Sequence, residues 1–437
     1  VRAPYRALEL LDAARDNDLE KGFEREDEAL SELIVSDQFH ASIYAFDLVQ
    51  KRAKHPAGAP DKDLAHRVNK VGVIGAGLMA SQFALLFARK LRVPVLITDL
   101  DQERVNRGVE YIHTELDKLH AKNRLSEDDT NQIKALVRGT TDKSEYADCD
   151  WVIEAVFEEL SVKQQVFAEI EPIISETAIL ATNTSSLSVS EIGKNLAHPE
   201  RLLGFHFFNP VAIMPLIEMI KTDSTNDESL ATAMATARKL GKSVVIAADQ
   251  PGFVVNRLLA KVMGEPARAL DAGTPLAQIE RSLDAIGLPM GPFELIDLVG
   301  WKVAAHVQDT MVKAFPDRYY NSENLHRLAE VDEPLEKSKH GAVEDLTRAG
   351  RKAITVGKSP IPADEILRRV EDELAREIQL MLDEGVVSAA EDIDLCLILG
   401  AGFPFQDGGI TPYLDRAGAS ERVNGHTFHS PRIAAKQ

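Results

Sequence analysis

The sequence predicts an open, doubly wound α/β sheet followed by an all-helical region and preceded by a shorter helical one. Three observations lead there. Between Val68 and about Ala248, short Val/Ile-rich runs alternate with polar stretches of helical spacing, the pattern of a parallel sheet covered on both faces. The first run passes directly into glycines, "VGVIGAGLMA", as the opening strand–turn–helix unit of such sheets does. From "DQPGFVVNRLL" onward the reading is almost all helix.

Taken in order, residues 1–55 are charged, with apolar residues at helical spacing and no β pattern. So charged a piece has too little core to stand alone and is expected to pack on something else. Residues 56–67, within "HPAGAPDKD", read as a Pro/Gly/Ala linker. Residues 68–248 carry the strand runs "VGVIGAG", "VPVLITDLD", "DWVIEAV", "TAILATN", "RLLGFHF" and "SVVIAAD". Residues 249–355 and 356–437 read as two copies of one small helical domain. "ARALDAGTPLAQIERSLDAIGLPMGPFELIDLVG" parallels "IQLMLDEGVVSAAEDIDLCLILGAGFPFQDGGITPYLDRAG". Each has a helix ending in Asp-X-Gly, a helix with an Ile-led face, a Gly/Pro turn and a final Leu/Asp helix.

The chain of 437 residues is 44% hydrophobic and 27% charged, with a formal net charge of -19. That acidity disfavours nucleic acid, which is bound through Lys and Arg on phosphates, but leaves room for an anionic small molecule in a local basic pocket. No apolar run is long enough to span a bilayer and no signal-peptide pattern is present. The two cysteines, Cys149 and Cys396, exclude a disulfide framework, read as core residues and fit a reducing, cytoplasmic compartment. No metal is expected.

In the glycine turn, Gly75 allows the sharp reversal and Gly77 lets a pyrophosphate approach the backbone at the helix N-terminus. Leu78 and Met79 open that helix, and Ala80 takes the third, small position. Asp99 ends the next strand at the distance, about 20 residues on, where an acid bonds the ribose hydroxyls and repels a 2'-phosphate. The expected cofactor is therefore NAD rather than NADP, with Gly75, Gly77, Leu78, Met79 and Asp99 against it.

"GFHFFNPVAIMPLIEMI" is two apolar strand runs around an Asn-Pro break, yet it holds a base and an acid. Burying either unpaired costs several kcal/mol, roughly. Glu218 follows His206 by 12 residues, so a hairpin centred near Ala212 brings them together. A carboxylate beside an imidazole fixes its tautomer and stabilises imidazolium. Either the pair staples a hairpin, or, beside a nicotinamide, His206 is the base of an alcohol oxidation with Glu218 as its orienting partner.

With these motifs in order ("GAGLMA", "ATNTSSLSVSEI", "GFHFFNPV", "LIEMI", "DQPGFVVNRLL" and "LPMGPFELID") the chain resembles the 3-hydroxyacyl-CoA dehydrogenase portion of multifunctional fatty acid β-oxidation enzymes of the α-subunit type. The resemblance implies a Rossmann-type NAD domain followed by the family's helical domain in two copies. It implies oxidation of an (S)-3-hydroxyacyl-CoA to the 3-ketoacyl-CoA by NAD, with an acyl-CoA substrate, His206 as base and Glu218 as its partner. By the same resemblance Ser185 would bond the substrate's 3-oxygen and Asn256 would hold the substrate near the thioester. Glu158, Lys163 and Asn183 would fall at cofactor-contacting positions. Residues 4–55 resemble the helical tail of a crotonase-type hydratase domain with its linker helix. That fold's oxyanion-hole loops and acids would precede Val1, so no hydratase activity is expected of these residues. "PFQDGG" departs from the family's Pro/aromatic/Arg-rich version, which touches subunit contacts and not catalysis. A thiolase β-subunit, or self-association, is the expected assembly. Two rival readings are a small hydroxyacid dehydrogenase and a non-catalytic NAD-binding structural or scaffold subunit. Ser185 and Asn256 have bland alternatives as helix caps, and Glu158 and Lys163 as solvated charges.

Overall fold

In the computed structural model, residues 2–16, 18–339, 341–430 and 433 are described. The chain forms two compact units: residues 53–257 with 385–388, and the chain up to Arg52 with 258–384 and 389–437.

The first unit is built on an eight-stranded sheet. Its strands are β1 (Val71–Ile74), β2 (Val95–Thr98), β3 (Val137–Gly139), β4 (Trp151–Glu154), β5 (Ile179–Thr182), β6 (Leu202–Phe207), β7 (Leu216–Lys221) and β8 (Ser243–Ala248), in the order β3-β2-β1-β4-β5-β6-β7-β8. All pairs are parallel except β6–β7, which is antiparallel. The doubly wound order follows from βαβ crossovers on either side of β1. β3, a three-residue edge strand, is too short to read from a hydrophobic pattern.

Alternation along β6 and β7 divides their side chains between two faces. Leu203, Phe205, Phe207, Ile217 and Met219 join one core with Phe83, Phe87 and Trp151. Phe83 stacks on Phe207 at 4.7 Å between ring centroids, and Trp151 meets Phe205 edge-on at 5.0 Å. Each buried Phe contributes about 1.5–3 kcal/mol, so a one-residue slip that exposed them is strongly disfavoured. His206 and Glu218 lie on the opposite face. Residues 56–67, expected as a linker, lie against this unit: the His66 amide donates to the Thr232 hydroxyl at 2.9 Å.

The second unit is helical and includes the N-terminal helices α1 (Ala3–Ala13), α2 (Leu19–Ile34) and α3 (Asp37–Gln50). α3 buries Ala41, Ala45 and Leu48, and its end is tied by Arg52, which donates to both carboxylate oxygens of Asp392 at 2.8 Å. This charged N-terminal piece thus packs on other helices of its own unit. A two-stranded hairpin, Leu335–Lys337 with Val343–Leu346, interrupts the region read as almost all helix.

The two stretches expected to be copies of one domain carry corresponding contacts. In the first copy a carboxylate on the helix Leu276–Ser282, Glu280, accepts from the Phe293 amide at 2.7 Å, in the first turn of the helix Pro292–Val299. In the second, Asp394 on the helix Ala390–Gly400 accepts from the Thr411 amide at 2.8 Å, in the first turn of the helix Ile410–Arg416. Gly291 and Gly409 precede these helices, and a Cβ at either would collide with the acid, at 1.9 Å from Glu280 Oε2 and 2.5 Å from Asp394 Oδ1. Burial pushes the Glu280 carboxyl up to about 7. Cys149 and Cys396 are both buried, and burial pushes the Cys149 thiol up to about 12. Among the described residues no helix is long and apolar enough to cross a membrane.

Candidate active site

The carboxyl ends of the parallel strands carry the functional residues. β1 runs into Gly75, whose φ of +109° is a conformation open to glycine alone at little cost. A Cβ there would lie 2.7 Å from the Ala155 carbonyl oxygen. Gly77 is the N-cap of the helix Leu78–Leu91, and a Cβ there would meet nothing within 4 Å. The chain therefore leaves open space where free amides and the helix dipole favour an anion. Asp99, just past β2, accepts from the Ala76 and Leu100 amides, both at 2.7 Å, and so braces the glycine turn from the side. Leu78, Leu100 and Phe157 are large apolar side chains left 56%, 86% and 77% exposed around this loop, and Met79 is half-buried. These features fit a dinucleotide: room at Gly77, an acid at Asp99 and apolar surface beside them.

His206 and Glu218 meet. They are directly opposed in the antiparallel β6–β7 register, and His206 Nδ1 lies 2.7 Å from Glu218 Oε2. An ionised carboxylate only accepts, which assigns Nδ1 as the donor; in the neutral imidazole Nε2 then carries the lone pair. Glu218 is fully buried. Its second oxygen accepts from the Val254 and Val255 amides at 3.1 and 2.8 Å, which open the helix Val255–Ala272. Three donors thus satisfy the carboxylate that looked costly in the sequence. Phe208 and Phe253 flank the imidazole at 4.6 and 5.7 Å between ring centroids.

A second polar network lies one strand over. Lys163, 1% exposed, bonds both oxygens of Glu154 at 2.9 Å and pairs with Glu158 at 3.1 Å. Glu158 accepts from the Thr184 hydroxyl at 2.6 Å, the Ser185 amide at 2.7 Å and the Ser185 hydroxyl at 3.2 Å. Burial alone would raise the Glu158 carboxyl; Lys163 and these donors outweigh it and hold it below its ordinary range. Burial likewise works against the charge of Lys163, but Glu154 and Glu158 outweigh it and raise the ammonium. Lys163 and Glu158 are therefore not solvated surface charges.

Neither Ser185 nor Asn256 caps a helix. Asn256 Nδ2 donates to the Ser185 carbonyl at 3.2 Å, and the cap of the short helix Val189–Ile192 is Ser188. Asn183 Oδ1 accepts from the Phe207 amide at 2.9 Å, next to His206. The sequence reading missed two members of this site. Glu154 is an acid inside the apolar run "VIEAV", the same signal that exposed Glu218. Asp249, whose carboxylate accepts from Ser188, Val189 and Ser190, sits in a polar loop where composition carries no such signal. Among the described residues no group of three or more His, Cys, Asp or Glu could hold a metal ion.

Comparison with known proteins identifies the family. Residues 70–250 match the family described as 3-hydroxyacyl-CoA dehydrogenase, NAD binding domain, and residues 252–345 match 3-hydroxyacyl-CoA dehydrogenase, C-terminal domain. The fatty acid oxidation complex subunit alpha of Idiomarina loihiensis is 33% identical over 417 residues, covering 93% of this chain and 58% of that protein. This chain thus spans a little under three-fifths of that relative's length. Two solved structures align over nearly their whole length. M. tuberculosis FadB2 is 33% identical with a TM-score of 0.58, covering 61% of this chain and 94% of that one. The (S)-3-hydroxybutyryl-CoA dehydrogenase PaaH1 from Ralstonia eutropha is 30% identical with a TM-score of 0.59, covering 64% and 100%.

Proposed function

This chain belongs to the 3-hydroxyacyl-CoA dehydrogenase family and is an NAD-dependent dehydrogenase, and on that premise we propose that His206 is the general base in the oxidation of an (S)-3-hydroxyacyl-CoA to the 3-ketoacyl-CoA by NAD. The observation that carries this reading is the His206–Glu218 pair at 2.7 Å, which leaves Nε2 free to accept a proton. Gly75, Gly77, Leu78, Met79 and Asp99 would hold NAD, with Glu158 and Asn183 at further cofactor-contacting positions and Lys163, 1% exposed, acting there through Glu158; when bound, the cofactor would supply the hydride acceptor. His206 Nε2 takes the proton of the 3-hydroxyl. Glu218 stabilises the imidazolium formed and is itself fixed by two backbone amides. Ser185 bonds the substrate's 3-oxygen, and Asn256 aligns the acyl group near the thioester. Phe208 and Phe253 beside the imidazole limit the water that could compete for the proton.

The 3-ketoacyl-CoA product is chemically a substrate for thiolytic cleavage. The description of the Idiomarina loihiensis relative as subunit alpha of a complex supports a partner subunit, and the chemistry of the product makes a thiolase the candidate. Co-purification of a thiolase with the chain expressed at natural levels tests this part.

The decisive experiment follows NADH consumption with acetoacetyl-CoA by wild type and His206→Gln. Loss of about 10²–10⁴ in kcat, with NADH affinity retained, is expected. Equal turnover by the two proteins overturns the assignment.

A further inference from the structure

We infer that Asp249 is a positioning residue for the reaction: it clasps the Ser185 loop so that the hydroxyl and the His206–Glu218 pair are held in one register. The inference rests on the role proposed for Ser185.

The loop from Asn183 to Ser188 links β5 to the short helix Val189–Ile192. Its front is held by Glu158, through Thr184 and Ser185. Its back is held by Asp249. One Asp249 oxygen accepts from the Val189 amide, and the other from the Ser188 hydroxyl and the Ser190 amide, all at 2.8 Å. Three charge-assisted bonds from consecutive residues leave that turn little freedom.

Asp249 begins a segment that reaches the other half of the site within a few residues. Gly252 and Phe253 both have positive φ, +73° and +48°, a tight reversal that aims the Val254 and Val255 amides at Glu218. The next residue, Asn256, returns to the Ser185 carbonyl. One short stretch of chain is thereby bonded to the Ser185 loop at two points and to Glu218 between them. Phe253 is buried, against His206, in a conformation non-glycine residues rarely hold unless their surroundings enforce it. Asp249 is the anchor from which this reversal starts. Replacing it by Asn keeps the size but removes the charge and turns an amide group toward backbone N–H donors. The loop then loses its back anchor while Glu158, the glycine turn and Glu218 keep their partners.

The test is a double-mutant cycle of Asp249→Asn with Ser185→Ala, read as kcat with saturating NADH and acetoacetyl-CoA, beside NADH affinity by fluorescence titration. A shift of the loop on the ångström scale costs up to about 10²-fold in rate. The expected result is therefore a drop of about ten- to a hundredfold in kcat for Asp249→Asn, with NADH affinity unchanged. In the Ser185→Ala background the same substitution should cost nothing further, because the group it positions is gone. Losses that multiply in the double variant, or an unchanged kcat in Asp249→Asn, overturn the inference. An unchanged kcat in Ser185→Ala overturns the Ser185 role and this inference with it, while His206→Gln still reports separately on the dehydrogenase reading. If Asp249→Asn does not fold, Ser188→Ala removes one of the three donors and runs the same cycle. A smaller loss confined to the Ser185 background supports the clasp, and no loss or a multiplying one overturns it.

Discussion

Every ionisable side chain at the centre of this site is buried with a partner of opposite need. Glu218 has an imidazole and two amides; Lys163 has two carboxylates. Removing one member of such a set leaves a buried charge uncompensated, at about 3–5 kcal/mol. Lys163→Met should therefore destabilise the NAD-binding unit by that order, because Glu154 is fully buried. Urea unfolding followed by tryptophan fluorescence measures it, since Trp151 lies on the same strand as Glu154. Glu218→Gln keeps an oxygen for the helix amides but loses the charge that stabilises imidazolium. A fall in kcat of about tenfold or more is expected, by the same acid–base logic as His206→Gln but smaller. At this scale the sequence was legible at His206 and Glu218, where polar residues stood in apolar runs. The same signal at Glu154 passed unread, and Asp249 gave none, because acids in loops are ordinary.

For single elements, two glycine-dependent turns make contrasting predictions. At Gly75 an added methyl meets a backbone oxygen at 2.7 Å and a φ of +109°. Gly75→Ala should cost about 1–3 kcal/mol of strain and open the turn, and with 1.4 kcal/mol per tenfold NADH affinity should fall about tenfold or more. Fluorescence titration with NADH checks this. At Glu280 the prediction concerns pH. Burial raises this carboxyl to about 7 in the folded chain, above its value of about 4.3 when unfolded. The folded state therefore holds the proton more tightly, and the associated stability is present at low pH and lost as pH rises from about 4.3 through 7. Glu280→Gln keeps the acceptor for the Phe293 amide and removes this ionisation. Its thermal midpoint should match wild type near pH 4 and exceed it at pH 8. Strand and helix identities were legible where apolar runs were longer than three residues. The edge strand Val137–Gly139 and the hairpin at 335–346 were not, since three or four residues carry no distinguishable period.

Across the whole molecule, the division of the chain into two units shapes its thermodynamics. A ligand stabilises only the part that binds it. NADH at about a hundred times its Kd should raise the unfolding free energy of the unit carrying the glycine loop by about 2.7 kcal/mol. In a calorimetric scan that unit's transition should move up while a transition belonging to the helical unit alone stays in place. A uniform shift of all unfolding would contradict cofactor binding confined to residues 53–257. The α/β-then-helix order was legible because the hydrophobic period changes near Ala248. The division into compact units was less so: the sequence marks the linker by its Pro, Gly and Ala residues, but not that those residues fold onto the sheet unit. Nor does it mark that Gly385–Ser388 crosses into that unit, where the Val386 carbonyl accepts from the Ala248 amide at 2.8 Å.

The antiparallel step between β6 and β7 has one more consequence, and it concerns length. His206 faces Glu218 because every pair in this ladder, from Gly204 with Ile220 to Phe207 with Ile217, turns about the same midpoint. The stretch from Phe208 to Pro215 is therefore a ruler. Its residues can vary in kind far more freely than in number. A single insertion absorbed by sliding one strand would swing Glu218 into the aromatic core and offer His206 a hydrophobic neighbour instead. Among natural variants of this hairpin, substitutions should be common and odd-length insertions absent.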